Sequence, residues 1–307
     1  MPFLDSLSSL LSPSLAAMAF PMKPWTPFGE GSLELHPFGL LVGIGIVLGT
    51  ILAGRRAKQL GLSERVVADV ALWAVIPGFI GAHLVHQLFY FPEELIDDPL
   101  KLFKIWEGIS SFGGFIGGTL GVLYYFRKHK DLPFLPYADA IIYGFAFAWI
   151  FGRLGCTTAF DHPGTPTDFF MGMEYLGGVV DKNGVSLKGK ILHNLGWYEA
   201  IWSVAMSLYF FLQRKTPHFK GWYLAVFVVA YMPFRFALDF LRVVDVRYAG
   251  FTPGQWFSVI LMILGVYLIV KASKRQDMLI PDGQPKLEWW PAGEAEAYRR
   301  EKAARGA

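Results

Sequence analysis

The chain alternates between long apolar runs and short stretches in which charge, proline and glycine gather. Runs approaching roughly 17–25 residues are what a helix needs to cross a bilayer, so they predict membrane spans. Seven stretches qualify: 38–53, 66–89, 109–126, 137–160, 197–212, 221–240 and 251–270. The expected fold class is an all-α integral membrane protein with about seven transmembrane helices. Residues 161–196 are polar and glycine-rich and predict a small external head.

The ends read differently. Residues 1–35 are apolar in part, but Asp5, Pro13 and Ser6, Ser8, Ser9, Ser12 and Ser14 interrupt them, and the basic start of a signal peptide is missing. They predict an interfacial helix on the outer face of the membrane, with an eighth span as the alternative. The spans and their loops then form a membrane domain over 36–271. Residues 272–307 are expected to be a charged cytoplasmic tail, solvated and without a specific role, with Trp289 and Trp290 near the interface.

Basic residues set the orientation. Arg55, Arg56, Lys58 and Arg65 follow the first span, Arg127, Lys128 and Lys130 the third, Arg214, Lys215 and Lys220 the fifth, and Lys271, Lys274 and Arg275 the seventh. Ends carrying such clusters stay in the cytoplasm. The other ends are mixed or acidic, as with Glu93, Glu94, Asp97 and Asp98. The expectation is a multi-pass protein of the cell inner membrane, N-terminus external and C-terminus cytoplasmic.

Composition strengthens this picture. Apolar residues make up 53% of the 307 and charged residues 17%, where a soluble chain carries about a quarter. Mean hydropathy is +0.38. A net charge of +3, with no basic run interleaved with aromatics, argues against nucleic acid as a partner. Cys156 is the one cysteine, so an intramolecular disulfide and CxxC metal or redox pairs are excluded.

Candidate chemistry lies in the charges placed inside apolar runs, since an ionisable group at membrane depth faces a cavity or a partner. The fourth span ends Gly152-Arg153-Leu154-Gly155-Cys156, with Asp161-His162-Pro163-Gly164 close behind. In the sixth, Tyr231, Arg235 and Asp239 are spaced by four and share a helical face, and Arg242 follows one turn later. An (i, i+4) pair between Arg235 and Asp239 is expected, which leaves Arg153 and Arg242 without a local partner. Three guanidiniums at the outer end suit an anionic phosphate, because each planar fork offers paired donors. His83 and His86 lie one turn apart near the outer end of the second span. They make half a metal site at most, without an HExxH or a carboxylate cluster, so neither metal nor cofactor is expected. The glycines of Ser110-Ser111-Phe112-Gly113-Gly114-Phe115-Ile116-Gly117-Gly118 predict close helix packing, or else a groove for a lipid headgroup.

In order along the chain, these segments resemble the prolipoprotein diacylglyceryl transferase family. His36-Pro37-Phe38-Gly39 resembles its first-span opening, and Gly152-Arg153-Leu154-Gly155-Cys156 its Gly-Arg-x-Gly-Asn signature, with Asp161 and Gly164 for the acid and glycine that follow. His193-Asn194-Leu195-Gly196-Trp197-Tyr198-Glu199 is similar to the fifth-span opening. Tyr231, Arg235, Asp239 and Arg242 match the sixth-span helix, with Asp for Glu, and Thr252-Pro253-Gly254-Gln255 the last motif. Phe112 stands where the family has a histidine, Phe38 where it has a tyrosine, and Cys156 where it has an asparagine.

The resemblance implies transfer of a diacylglyceryl group from phosphatidylglycerol to the lipobox cysteine of a prolipoprotein, by a monomer surrounded by membrane lipids. Arg153, Arg235, Arg242, Gly155 and Gly164 would bind the headgroup. Asp161 and Asp239 would orient the arginines, Tyr231 would bond to the headgroup, and His83 or His86 would replace the missing base. The alternative is a divergent member that binds phospholipid or a lipoprotein precursor, or does other phospholipid chemistry, without this transfer.

Overall fold

The computed structural model describes residues 19–20, 36–90, 95–96, 98–103, 110–181, 183–243, 247–273 and 278–306. The chain divides into two compact units: residues 1–52 with 142–280, and residues 53–141 with 281–307. The elements in order are β1 (Ala19–Phe20), α1 (Pro37–Gln59), α2 (Glu64–Val85), α3 (Ser111–Lys128), α4 (Phe134–Ala159), β2 (Pro163–Pro166), β3 (Met173–Tyr175), β4 (Lys190–Asn194), α5 (Leu195–Gln213), β5 (His218–Phe219), α6 (Trp222–Leu238), α7 (Pro253–Ser273), β6 (Met278–Leu279) and α8 (Ala292–Gly306).

Every predicted span coincides with one of the helices α1 to α7. Among the described residues, five helices are long and apolar enough to cross a membrane: Pro37–Gln59, Glu64–Leu88, Phe134–Ala159, Trp222–Leu241 and Pro253–Lys271. Helices α3 and α5 fall short of that measure for reasons visible in their residues. The first is rich in glycine and ends in Arg127-Lys128; the second carries Glu199 and several Trp and Tyr. The protein is therefore a mostly helical, multi-pass membrane protein. The predicted interfacial helix at 1–35 lies outside the described residues, apart from Ala19–Phe20, which form a strand.

In the first unit, strands β2, β3 and β4 of the predicted head at 161–196 join β1 in a small sheet of order β1-β3-β4-β2. Strand β4 pairs antiparallel with β3, Met173 facing Leu192, and with β2, Pro163 facing Asn194. Phe160, Met173, Tyr175, Leu187 and Leu192 fill its core. Its last residue, Asn194, caps α5: the side-chain oxygen accepts from Trp197 N at 3.3 Å. The Asn194 amide also donates to the Thr157 carbonyl at 3.1 Å, tying α5 to the end of α4. Gly196 permits this approach, since a Cβ there would lie 2.8 Å from Thr157 N. One asparagine thus sets the start of α5 against the end of α4.

In the second unit, α2 and α3 pack backbone to backbone. A Cβ on Gly117 would lie 2.1 Å from the Pro77 carbonyl, and one on Gly121 1.8 Å from that of Trp73. Here the glycine stripe serves helix packing, the first of its two predicted meanings.

The end of the chain is folded, contrary to the expectation of a solvated tail. Lys286 N donates to Gly61 O at 2.8 Å, Trp290 Nε1 to the same carbonyl at 2.9 Å, and Tyr137 Oη to Trp289 O at 2.8 Å. Ser63 Oγ donates to Glu294 at 2.6 Å. Gly61 has φ +73°, and a Cβ there would meet the Gln284 carbonyl at 1.9 Å. The carbonyls that end α1 find partners in this segment, which a composition-based reading of the tail misses.

Candidate active site

The first unit holds a buried charge cluster where α4, α5, α6 and the start of α7 meet. Its centre is Glu199, one turn into α5 and fully buried. One carboxylate oxygen lies 3.0 Å from Arg153 Nε on α4 and accepts the Tyr231 hydroxyl of α6. The other accepts from Arg235 Nη1 of α6. A carboxylate presents about four lone-pair directions, and donors from two neighbouring helices converge on this one. Arg153 also stacks on Trp149, 4.1 Å from the ring, and its Nη1 lies 3.9 Å from Cys156 Sγ. Burying these charges is tolerable because each is paired.

A second carboxylate, Asp239, follows at the end of α6 and is also fully buried. It lies 3.6 Å from Arg235 and 3.8 Å from Arg242, and it accepts from Thr252 Oγ1 at 2.6 Å. Arg247 Nη2 donates to its main-chain carbonyl at 3.4 Å. Thr252 forms a reciprocal cap on α7: Gln255 N donates to Thr252 Oγ1 at 3.1 Å, and Thr252 N to Gln255 Oε1 at 3.0 Å. Pro253 suits the first helical position, where no N–H is needed. Gly254 lets Asp239 in, since a Cβ would stand 2.5 Å from its carboxylate.

The rim is formed by Asp161-His162. Arg242 Nη2 lies 2.5 Å from His162 Nδ1, and His162 Nε2 lies 3.6 Å from the Asp161 carboxylate. A guanidinium only donates, so this contact asks Nδ1 to accept, as it does in a neutral ring, while the Asp161 main-chain carbonyl 2.9 Å from the same nitrogen suits an N–H. Removal from water, and then the charges of Arg242, Arg235 and Arg153, hold this imidazole well below its usual range.

The predicted residues divide between the two units. Arg153, Asp161, Tyr231, Arg235, Asp239 and Arg242 all belong to the first. The expected Arg235–Asp239 pair forms, but Arg235 is held more closely by Glu199, and Tyr231 directs its hydroxyl to the same carboxylate. Gly155 and Gly164 mark close approaches: a Cβ would meet the Phe38 ring at 3.1 Å in one case and His193 Cβ at 2.7 Å in the other. Gly164 also bridges to Arg242, joining β2 to the end of α6. His83 and His86 lie in the second unit. His83 is buried, and its Nε2 lies 3.0 Å from the Lys101 carbonyl, which makes that nitrogen the protonated one.

Sequence reasoning missed Glu199, His162 and Thr252 as parts of the cluster. The signal for Glu199 was present, for an acid at the start of an apolar run invites the argument applied to Arg153 and Arg235.

A family model, described as prolipoprotein diacylglyceryl transferase, matches residues 27–271. The chain belongs to this family. A phosphatidylglycerol–prolipoprotein diacylglyceryl transferase of Pseudoalteromonas atlantica is 28% identical over 277 residues, covering 87% of this chain and 95% of the relative. Proteins of the same description from Clostridioides difficile (28% over 82% of this chain and 95% of the relative) and Caldanaerobacter subterraneus (34% over 52% and 59%) are similar as well. The family match spans α1 to α7, so it includes every residue of the charge cluster.

Proposed function

We propose that the charge cluster binds the phosphate of phosphatidylglycerol, and that the chain transfers its diacylglyceryl group to a prolipoprotein cysteine. The transfer makes a thioether and releases glycerol phosphate. One observation carries the site assignment. Among the described residues, three guanidiniums (Arg153, Arg235, Arg242) converge on two buried carboxylates (Glu199, Asp239), with Asp161 and His162 beside them at the rim. The planar forks of the guanidiniums offer paired donors of the kind that a phosphate's oxygens accept. Arg153, Glu199 and Asp239 are sealed in, while Arg235 and Arg242 keep an exposed edge that a ligand can reach.

In this reading the chemistry has two requirements. A thiolate attacks the glyceryl carbon that bears the phosphate ester, so the thiol must lose its proton. Charge gathers on the departing phosphate, where preset donors on Arg235 and Arg242 stabilise it without reorganising. Glu199 and Asp239 hold those donors in place. Full-length protein in phosphatidylglycerol vesicles should convert a lipobox peptide to its thioether product. Arg235→Lys and Arg242→Lys should each weaken lipid binding at least about tenfold, since a point charge does not replace a planar fork. Wild-type lipid binding in both variants would overturn the headgroup assignment. The reading of a divergent member that binds without transfer rests on Phe112, Phe38 and Cys156, and it requires binding without thioether product.

The proposed setting is the inner membrane, with the site at its outer side and the basic loops in the cytoplasm. Single cysteines replacing Lys130 and Asp168 should then react with an impermeant label from opposite faces. Labelling of both from one face would refute this orientation.

A further inference from the structure

The transfer needs a proton acceptor at the phosphate-binding cluster, and most acidic groups there are already committed. Glu199 is surrounded by Arg153, Arg235 and Tyr231, and Asp239 is buried beneath Thr252 and two arginines. His193 belongs to the small sheet, with Nδ1 2.7 Å from the Tyr198 hydroxyl. His162 differs from all of these. It sits at the rim, partly exposed, in direct contact with an arginine of the cluster.

We infer that His162 is the general base of the transfer, uncovered when the lipid phosphate draws Arg242 away from Nδ1. This rests on the transfer reading above and assigns the step that reading leaves open.

The surroundings of the ring fit both of its protonation states. With the site empty, Arg242 occupies the Nδ1 lone pair at 2.5 Å. That nitrogen also lies 2.9 Å from the Asp161 main-chain carbonyl, an acceptor with nothing to give a lone pair but much to offer an N–H. Once Nδ1 takes a proton, it can therefore donate to that carbonyl. At the same time Nε2–H faces the Asp161 carboxylate at 3.6 Å. Both donors of the imidazolium have an oxygen of one residue to face, and a carboxylate behind the ring is how bases of this type are oriented and stabilised. The charged groups acting on the ring are Asp161 beside it, Arg242 and Arg235 from α6 and its end, and Arg153 from α4.

The step balances as follows. The cysteine S–H bond breaks and its proton goes to His162 Nδ1. The sulfur electron pair forms the S–C bond to the glyceryl carbon. The C–O bond to phosphate breaks, and its pair stays on the phosphate oxygen of the departing glycerol phosphate. The imidazolium then returns its proton to that phosphate or to water.

Electrostatics adds a sign that can be measured. In the free protein removal from water, and then the arginines, keep His162 neutral down to unusually low pH. A bound phosphate supplies negative charge, which favours the imidazolium and raises the pKa. A base works only when unprotonated, so rate is lost as pH falls through its pKa. The acid limb of kcat/KM, which reports the free protein, should therefore lie at lower pH than the acid limb of kcat, which reports the lipid complex.

The test uses full-length protein in phosphatidylglycerol vesicles with a lipobox peptide, followed by thioether product. His162→Gln keeps an acceptor for Arg242 but cannot take a proton. It should leave KM for the lipid near wild type and lower kcat about a hundredfold or more, with the acid limb lost. A His162→Gln variant within about threefold of wild-type kcat would mean that the residue only positions Arg242, and would overturn the proposal. So would a raised KM at unchanged kcat. Should His162→Gln fail to fold, the wild-type profile decides: coincident acid limbs for kcat and kcat/KM refute the base, and separated limbs in the stated order support it. Absence of thioether product from wild-type protein would instead overturn the transfer reading, and this proposal with it.

Discussion

Replacing Glu199 with glutamine should be the most damaging single change in the protein. Glutamine keeps the shape of the side chain but removes its charge, so Arg153 and Arg235 would be left beside each other with no anion between them. Removing one partner of a buried ion pair costs about 3–5 kcal/mol, because the remaining charge stays out of water without compensation. Two guanidiniums share Glu199, so the upper part of that range is expected. The melting temperature of purified Glu199→Gln should fall clearly, and thioether formation should disappear. Glu199→Asp should recover part of the stability, since the charge is restored at a shorter reach. A melting temperature equal to wild type for Glu199→Gln would show that the two arginines find their anion elsewhere.

The second large effect is expected in the other unit, where α2 and α3 meet. At Gly121 a Cβ would stand 1.8 Å from the Trp73 carbonyl, and at Gly114 the nearest neighbour would be Ala82 Cβ at 3.7 Å. Gly121→Ala must push α2 and α3 apart, because a main-chain carbonyl in a helix has nowhere to move. Overpacking of this kind costs about 1–3 kcal/mol, with the upper end expected where backbone meets backbone. Gly114→Ala places a methyl at ordinary contact distance and should be close to neutral. Folded yield and thermal stability of the two variants in detergent check the contrast. Equal behaviour would mean that α2 and α3 are not held by this close approach.

These two predictions differ in how far the sequence announces them. The glycine stripe is a local pattern within one helix, and its packing meaning could be read directly. The same holds for Tyr231, Arg235 and Asp239, which share a face because of their spacing by four. Helix periodicity reports only partners on the same helix, however. It paired Arg235 with Asp239 and left Arg153 alone, whereas the observed centre joins residues 153, 199 and 235 from three helices. The family resemblance brought Glu199 into view as part of a motif without giving it partners. His162 was hidden for another reason: its neighbour Arg242 lies 80 positions away, at the end of α6. The last segment was misread because its composition is that of a solvated tail, while its hold on Gly61 depends on main-chain geometry that composition does not encode.

The threonine at the head of α7 links assembly to activity. Its single hydroxyl accepts the Gln255 N–H that starts the helix and gives its hydrogen to Asp239. The last span and the buried carboxylate are thus completed by the same atom. A chain halted before residue 252 would hold α4, α5 and α6 but would leave Asp239 without that donor, beside arginines it could not hold in register. During synthesis the earlier helices could gather around Glu199, yet the site would stay unfinished until the final helix began to wind. Insertion of the last span is in this sense the step that switches the protein on.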